Sequence, residues 1–136
     1  MKGIADTGFL VALANRNDFH HDWALNLANQ VSSPLLTCDA VLAETAFHLQ
    51  NAALALEFVG QGLVTPVLDI LDHMPRLLQI ARRFSDQNPD LADVCLIRLS
   101  ELYPQHPVIT TDSRDFRVYR RNQRETIPLI VPPLRK

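Results

Sequence analysis

Apolar residues along the chain follow two alternating patterns: short continuous runs, and longer stretches in which apolar residues recur every three or four positions. Continuous runs are typical of buried strands, and recurrence at helical spacing is typical of amphipathic helices. Strands are predicted at 3–5, 34–37, 63–67, 107–110 and 127–131. Helices are predicted from 7 or 8 to about 15, over 18–31, over about 39–56 as one helix or two, and over 69–84, 88–102 and 113–122.

This order of elements predicts the fold class. Strands separated by helices imply parallel pairing through crossover connections, hence an α/β fold with three α/β/α layers around a central, mainly parallel sheet of four to five strands. The helix over 88–102 has the clearest start signal, with Asn88 as N-cap and Pro89 as its first residue. No repeat or linker interrupts the pattern, so residues 1–136 are predicted to form a single domain.

Composition excludes several protein classes. With 47% hydrophobic and 21% charged residues, the chain has the profile of a globular domain and not of a disordered one. No glycine follows Gly62, so neither a P-loop nor a dinucleotide-binding GxGxxG motif can be placed. No apolar run approaches the ~20 residues of a membrane helix. The isolated Cys38 and Cys95 are expected to be buried thiols. We therefore expect a cytoplasmic protein with no membrane association.

Charge is distributed unevenly along the chain. The net charge is −2, yet residues 1–72 carry two basic and eight acidic residues, whereas residues 73–136 carry eleven basic and seven acidic ones. Five of the basic residues lie close together: Arg114, Arg117, Arg120, Arg121 and Arg124. Such a cluster can bind a polyanion or can simply be the solvated face of a helix, and charge alone favours the second interpretation.

Four acidic residues stand where α/β folds form their sites. Asp6 ends the first predicted strand, Asp112 follows the strand over 107–110, and Glu44 and Asp93 lie near the starts of two predicted helices. Ligand crevices in open α/β sheets lie beyond the carboxyl ends of the strands, so these four side chains are expected to face one edge of the sheet.

Clustered carboxylates require compensation. Two unit charges ~4 Å apart repel by ~4 kcal/mol at an effective dielectric constant near 20. The group must therefore take up protons or surround a divalent cation, and all-oxygen ligation favours Mg²⁺ or Mn²⁺ over zinc. Each acid also has a structural explanation: Asp112 as a helix cap, Asp93 and Glu44 as partners of helix dipoles. Spacing alone leaves both interpretations open.

The order and context of these acids resemble the PIN-domain family of metal-dependent ribonucleases, in particular the VapC-type toxins of bacterial toxin–antitoxin pairs. Segment 4–13, with Ile-Ala-Asp-Thr-Gly followed by an apolar helix, is similar to that family's first motif. Segment 41–44 resembles its Glu-bearing helix, and 90–94 its third motif, in which an Ala-Asp pair opens a helix. Segments 108–116 and 127–132 are similar to its fourth motif and its final strand.

The resemblance implies a site and partners. It implies Asp6, Asp93 and Asp112 around Mg²⁺ or Mn²⁺, with Glu44 completing the acidic pocket. Thr7 and Thr110 match supporting hydroxyl positions, and Asp115 could replace or join Asp112. The expected function is an endoribonuclease that hydrolyses RNA with activated water, with a protein antitoxin as partner and a homodimer as its assembly. The expected RNA contacts are Arg114, Arg117, Arg120 and Arg121. The alternatives are a catalytically inactive RNA- or protein-binding module and a DNA-directed nuclease.

Overall fold

A computed structural model describes residues 1–134 and has a five-stranded sheet at its centre. The strands are β1 (Ile4–Ala5), β2 (Leu35–Thr37), β3 (Val64–Pro66), β4 (Val108–Ile109) and β7 (Leu129–Ile130). They lie in the order β3-β2-β1-β4-β7, and every neighbouring pair is parallel. The predicted parallel sheet is thereby confirmed, with β1 in the middle and Asp6 immediately after it.

Helices flank this sheet and connect its strands, as the α/β pattern predicts. They are α1 (Thr7–Ala14), α2 (His21–Ala28), α3 (Asp39–Leu49), α4 (Ala52–Gly60), α5 (Met74–Arg83), α6 (Leu91–Leu102) and α7 (Ser113–Val118), with 3₁₀ turns at Leu71–His73 and Ser85–Gln87. The predicted stretch over 39–56 is two helices, because Gln50 adopts a left-handed φ of 52° and the Asn51 side chain caps α4. In the described part of the chain, no helix is both long and apolar enough to cross a membrane.

The core lies on both faces of the sheet. Ile4 and Ile109 on neighbouring strands are fully buried, as are Phe9 on α1 and Leu96 and Leu99 on α6. A strand covered by helices on both sides has no solvent face, which explains why its sequence is a continuous apolar run and does not alternate. The sheet therefore holds the carboxyl ends of β1 and β4 in fixed positions.

The start of α6 differs from the sequence prediction. Asn88 adopts a left-handed φ of 52° and ends a 3₁₀ turn, so it does not cap the helix. Asp90 is the cap, since its Oδ1 accepts a hydrogen bond from the backbone N–H of Asp93 at 2.8 Å. The two residues between Asn88 and the helix bring a second carboxylate to the helix N-terminus.

The predicted helix over 113–122 is also too long. Tyr119 has an extended backbone and ends α7, after which Arg120–Arg121 (β5) pairs antiparallel with Glu125–Thr126 (β6). The intervening turn has three residues, 122–124, and the first two of them have left-handed φ values of 47° and 73°.

The hairpin buries one of the arginines predicted to contact RNA. Arg121 is buried, and its guanidinium donates hydrogen bonds to the carbonyl oxygens of Ser100 at 2.9 Å and Pro104 at 3.3 Å, and to Glu125 at 3.2 Å. A guanidinium whose donors are already used inside the protein anchors the hairpin to the end of α6. The prediction that Arg121 contacts RNA remains a prediction, and its burial makes it less accessible than Arg114 and Arg117.

Candidate active site

A cavity of about 320 Å³ opens at the carboxyl ends of β1 and β4. Asp6, Glu44, Asp93 and Asp112 all line it, so the predicted convergence of these four side chains is observed. They come from four separate places in the chain: the end of β1, the middle of α3, the first turn of α6 and the start of α7. Only the parallel sheet and its crossovers bring them together.

Asp6 is the most buried of these acids, with 7% of its surface exposed. It caps α1, and its Oδ1 accepts a hydrogen bond from the backbone N–H of Thr7 at 2.7 Å. Its Oδ2 accepts one from the Thr110 hydroxyl at 2.6 Å. Burial outweighs these bonds and raises the pKa of Asp6 to about 6. The carboxylate is thus rigidly held in a place where its charge is disfavoured.

Glu44 faces Asp6 from the neighbouring helix α3. The Thr7 hydroxyl donates to Glu44 Oε2 at 3.4 Å, which links this carboxylate to the start of α1. Burial and the nearby negative charge of Asp90 raise the pKa of Glu44 above its usual value. Thr7 and Thr110, both predicted as supporting hydroxyls, therefore contact two different carboxylates of the site.

Asp93 points into the cavity from the first turn of α6. Its Oδ2 accepts a hydrogen bond from the hydroxyl of Tyr119 at 2.9 Å, and Tyr119 is itself buried. Burial and the adjacent Asp90 raise the pKa of Asp93 to about 7, although the Tyr119 hydrogen bond opposes this rise. Tyr119 is a site residue that sequence reasoning missed, because nothing in its surroundings marks a tyrosine that ends a helix as a carboxylate partner.

Asp112 caps a helix and also lines the cavity. Its Oδ1 accepts a hydrogen bond from the backbone N–H of Asp115 at 3.3 Å and so caps α7, and the same side chain lines the cavity. Its own backbone N–H donates to the Thr110 hydroxyl at 2.9 Å. Asp115 is exposed and does not line the cavity, but its proximity is one cause of the raised pKa of Asp112. The geometry therefore favours Asp112 as the fourth acid.

Gly8 allows the two sides of the cavity to approach one another. A Cβ at this position would collide with the Thr111 side chain, which directly precedes Asp112. Since both Gly8 and Thr111 line the cavity, a larger residue at position 8 would push the Asp112 segment away from α1. Steric contact with Thr111 therefore explains why the residue after Asp6 and Thr7 is a glycine.

Further polar residues line the same cavity. Asp90 is a fifth carboxylate, and Asp18, His20 and His48 complete the polar wall. The available signals were the three-residue spacing of Asp90 and Asp93, and the position of His48 one helical turn after Glu44. Neither signal distinguishes a site residue from a capping or surface residue.

The chemistry of this donor set fits a hard divalent cation. Several carboxylates with raised pKa values face one cavity, and within residues 1–134 none of its lining residues is Lys or Arg. Within the same described range, no group of three or more His, Cys, Asp or Glu side chains is arranged closely enough to hold a metal ion on its own. Mg²⁺ keeps several waters and is commonly held by one or two carboxylates plus substrate phosphates, so it does not need a closed protein cage. The residues present therefore fit Mg²⁺ or Mn²⁺.

The arginines after Asp112 differ in their availability. Arg114 and Arg117 are exposed on α7. The Arg120 guanidinium donates to the carbonyl oxygens of Arg117, Val118 and Tyr119, and so closes the end of that helix. Of the four predicted RNA contacts, Arg114 and Arg117 are thus the two exposed ones, on the helix that Asp112 caps.

Comparison with known proteins agrees with this architecture. The model of the PIN domain family matches residues 4–122, and the chain belongs to that family. The fold is similar to the crystal structure of VapC20 from Mycobacterium tuberculosis, described as a sarcin-ricin loop cleaving toxin. The two chains are 19% identical with a TM-score of 0.67, over 84% of this chain and 92% of that one. No curated protein matches the sequence. The resemblance to the PIN-domain family, inferred from the four motifs, is thereby confirmed.

Proposed function

We propose that this PIN domain is a metal-dependent endoribonuclease and the toxin component of a toxin–antitoxin pair. The observation that carries the proposal is the convergence of Asp6, Glu44, Asp93 and Asp112 on one cavity, where burial and mutual repulsion disfavour their ionised forms. A carboxylate cluster of this kind is costly to the fold, and a bound cation offsets that cost.

The chain's own residues would divide the work of hydrolysis. Asp6, Asp93 and Asp112 would hold Mg²⁺ or Mn²⁺, which when bound polarises the phosphoryl group and lowers the pKa of a water molecule. Thr110 keeps Asp6 in place through its hydroxyl, and Tyr119 does the same for Asp93. These hydrogen bonds fix the carboxylate orientations before substrate binds.

Glu44 is suited to a different task. Its hydrogen bond from the Thr7 hydroxyl is long, at 3.4 Å. Burial and the nearby Asp90 raise its pKa above the usual value, which makes its carboxylate a better proton acceptor. In the proposed step a water oxygen attacks phosphorus, its proton moves to a Glu44 Oε, and the phosphodiester bond to the leaving oxygen breaks. That oxygen takes a proton from solvent.

RNA as the substrate is supported by the VapC20 likeness, since that toxin is described as cleaving the sarcin-ricin loop. The exposed Arg114 and Arg117 lie on α7, which begins directly after Asp112, and their positive charge suits a phosphate backbone. A DNA-directed nuclease and an inactive binding module remain the alternatives, and each gives a different result in the experiment below.

The antitoxin and the homodimer belong to the same proposal. Phe47 on α3 and Leu56 on α4 are 78% and 67% exposed, and a protein partner would cover such apolar side chains. Light scattering of the purified chain would show a dimer. Co-expression with the protein encoded next to it would yield a stable complex lacking nuclease activity.

The test is a cleavage assay on a mixed RNA pool and on single-stranded DNA, with Mg²⁺ or with EDTA. The parent should cut RNA only with Mg²⁺, and Asp6→Asn should abolish cutting. Asp22→Asn, which removes an exposed carboxylate of α2 outside the cavity, is the matched control and should retain activity. Equal cleavage by Asp6→Asn and the parent would contradict the proposed site, cutting of DNA alone would favour the DNA nuclease, and binding without cutting would favour the inactive module.

A further inference from the structure

A second cavity, of about 630 Å³, lies away from the acidic one between α5 and the β5–β6 hairpin. It is lined by three arginines and two glutamines, and we call it the basic cleft: Arg76, Gln79, Arg83, Gln123 and Arg124. None of these residues takes part in the site described above. Within residues 1–134, every residue that lines the cleft is an arginine or a glutamine, and none is a carboxylate.

One side of the basic cleft is a row on a single helix face. Arg76, Gln79 and Arg83 are spaced by three and four residues on α5, which puts them on one face of that helix. The Arg76 guanidinium donates to Gln79 Oε1 at 3.1 Å, so the row is internally ordered. Along the axis it extends over about 10 Å, at 1.5 Å per residue.

A buried carboxylate joins the two sides of the basic cleft. The Glu101 side chain is 1% exposed, and it accepts hydrogen bonds from Arg76 Nε at 3.0 Å and from the backbone N–H of Asn122 at 2.6 Å. It thereby ties α5 to the hairpin turn. Arg98 also donates to Glu101 at 3.1 Å, so two guanidinium groups share one carboxylate and positive charge remains in excess.

The hairpin turn presents the other side. Gln123 has a left-handed φ of 73°, a conformation that residues other than glycine rarely adopt. Strain of this kind is often kept where side chains must be presented in a particular direction. Within residues 1–134, neither Arg83 nor Arg124 is paired with a carboxylate, and both are exposed.

The basic cleft is connected to the acidic cavity through α6. Asp93 in the cavity and Glu101 behind the cleft lie on that helix eight residues apart, which corresponds to about 12 Å. At the other end of the row, the Arg83 guanidinium lies 5.0 Å from the centre of the Phe84 ring. The centre of the Phe84 ring lies 5.3 Å from the centre of the Tyr119 ring, and the Tyr119 hydroxyl donates a hydrogen bond to Asp93. The row therefore runs from the hairpin towards the acidic site.

We propose that the basic cleft is a second RNA contact, which binds the phosphate backbone of the substrate strand where it leaves the acidic cavity; this assignment rests on the nuclease function proposed above. Arginine guanidinium groups bind phosphates, and the two glutamines can both donate to and accept from bases and ribose hydroxyls. A surface for a protein segment would be expected to have apolar anchors, and the basic cleft has none.

The experiment compares neighbouring arginines of α5. Arg83→Gln removes a charge from the basic cleft, and Arg82→Gln removes an exposed charge one residue away that does not line it. Binding of a long single-stranded RNA is measured by fluorescence anisotropy in EDTA over a range of salt concentrations. Arg83→Gln should reduce the slope of log K against log salt by about 0.7, the value for one lost phosphate contact on a single strand. The Arg83→Gln/Arg124→Gln double variant should reduce it by about 1.4, and Arg82→Gln should leave it unchanged.

Length and cleavage separate this proposal from the proposed function. A trinucleotide too short to reach the basic cleft should bind equally to the parent and to the double variant, and both should cut it with Mg²⁺. Failure of the parent to cut any RNA would contradict the nuclease function, while the salt slopes would still decide the role of the basic cleft. Equal slopes for the parent and the double variant would overturn it. Unchanged RNA binding with loss of binding to polyglutamate would assign the cleft to an acidic protein segment and would also overturn it.

Discussion

At the scale of single residues, the acidic cavity depends on carboxylates whose ionised forms the fold disfavours. Asp6 shows this most clearly, because both of its oxygens are hydrogen-bonded and its pKa is nevertheless raised to about 6. A shift from 3.8 to about 6 corresponds to about 3 kcal/mol of destabilisation when the group is ionised in the folded protein. The residue is therefore retained at a cost to stability.

The first prediction follows from this cost. Asp6→Asn keeps the acceptor for the Thr7 N–H and offers an amide N–H to the Thr110 hydroxyl, while removing the buried charge. In EDTA near neutral pH, the variant should be at least as stable as the parent. Any gain in its free energy of unfolding should not exceed about 3 kcal/mol. Urea denaturation followed by circular dichroism measures the difference. A clearly less stable variant would show that the carboxylate is structural.

Tyr119 gives the second prediction. Its hydroxyl donates to Asp93 and favours the ionised form, so Tyr119→Phe should raise the pKa of Asp93 further. The acid limb of the pH–rate profile for RNA cleavage should then move to higher pH, with the activity at high pH largely retained. Tyr103→Phe, which lies outside the cavity, is the control. An unshifted profile, with activity lost equally at every pH, would indicate that Tyr119 acts only through packing.

Site residues differed in how far the sequence could reveal them. Asp6 was predictable because a carboxylate directly after a buried strand requires a partner. Asp90 was not, since its place in the cavity depends on the left-handed backbone of Asn88, which moves the start of α6 by two residues. The burial of Arg121 was not predictable, because it depends on a hairpin that brings this side chain against Ser100.

At the scale of elements, the N-terminus of α6 combines capping with charge. Asp90 caps the helix, and it also raises the pKa values of Glu44 and Asp93 through its negative charge. The favourable cap and the unfavourable repulsion come from the same side chain. Two substitutions can separate them.

The third prediction is a contrast between those substitutions. Asp90→Ser keeps a capping oxygen and removes the charge, whereas Asp90→Ala removes both. In EDTA, Asp90→Ala should be less stable than Asp90→Ser by about 1 kcal/mol, the usual contribution of an N-cap. Asp90→Ser should be as stable as the parent or more so. Thermal unfolding of the three proteins provides the comparison, and equal stability of the two variants would mean that Asp90 does not cap α6 in solution.

The elements themselves were predictable in proportion to their burial. The central strands β1 and β4 were found because they are fully buried and therefore continuously apolar, and the edge strands β3 and β7, although partly exposed, still form short runs rich in β-branched and aliphatic residues. The β5–β6 hairpin was missed, since its strands are Arg120–Arg121 and Glu125–Thr126 and its turn contains no glycine. Its stability comes from tertiary contacts such as Glu101 with the Asn122 N–H, which no local pattern encodes.

At the scale of the whole molecule, negative and positive side chains occupy different parts of the surface. The acidic cavity lies at the carboxyl ends of β1 and β4, while exposed positive charge lies elsewhere, on α7 at Arg114 and Arg117 and in the basic cleft. This arrangement can attract a polyanion to a surface whose centre repels it. A divalent cation in the cavity would remove the repulsion, so stability, pH and metal should be linked.

The fourth prediction states that linkage. The pKa values of Asp6 and Asp93 are about 6 and about 7 in the folded protein, against about 4 for an unfolded chain, so the folded state binds more protons between those values. In EDTA, the contribution of these two groups to the free energy of unfolding should therefore be complete below about pH 4 and should fall as pH rises to about 7. The free energy of unfolding is measured against pH for the parent and for Asp6→Asn, and the difference between the two curves is the contribution of Asp6. This subtraction removes the contribution of His106, which has the opposite pH dependence because burial lowers its pKa.

Saturating Mn²⁺ should reverse this trend. The cation competes with protons for the same oxygens, so its binding becomes tighter as pH rises, and a hundredfold excess over the dissociation constant adds about 2.7 kcal/mol to the free energy of unfolding. The parent should therefore gain more stability from Mn²⁺ at about pH 8 than at about pH 5, and Asp6→Asn should gain less than the parent at both. Urea denaturation of both proteins with Mn²⁺ and with EDTA measures all four differences. Equal gains at the two pH values, or equal gains for the two proteins, would place the cation outside the cavity formed by Asp6, Asp93 and Asp112.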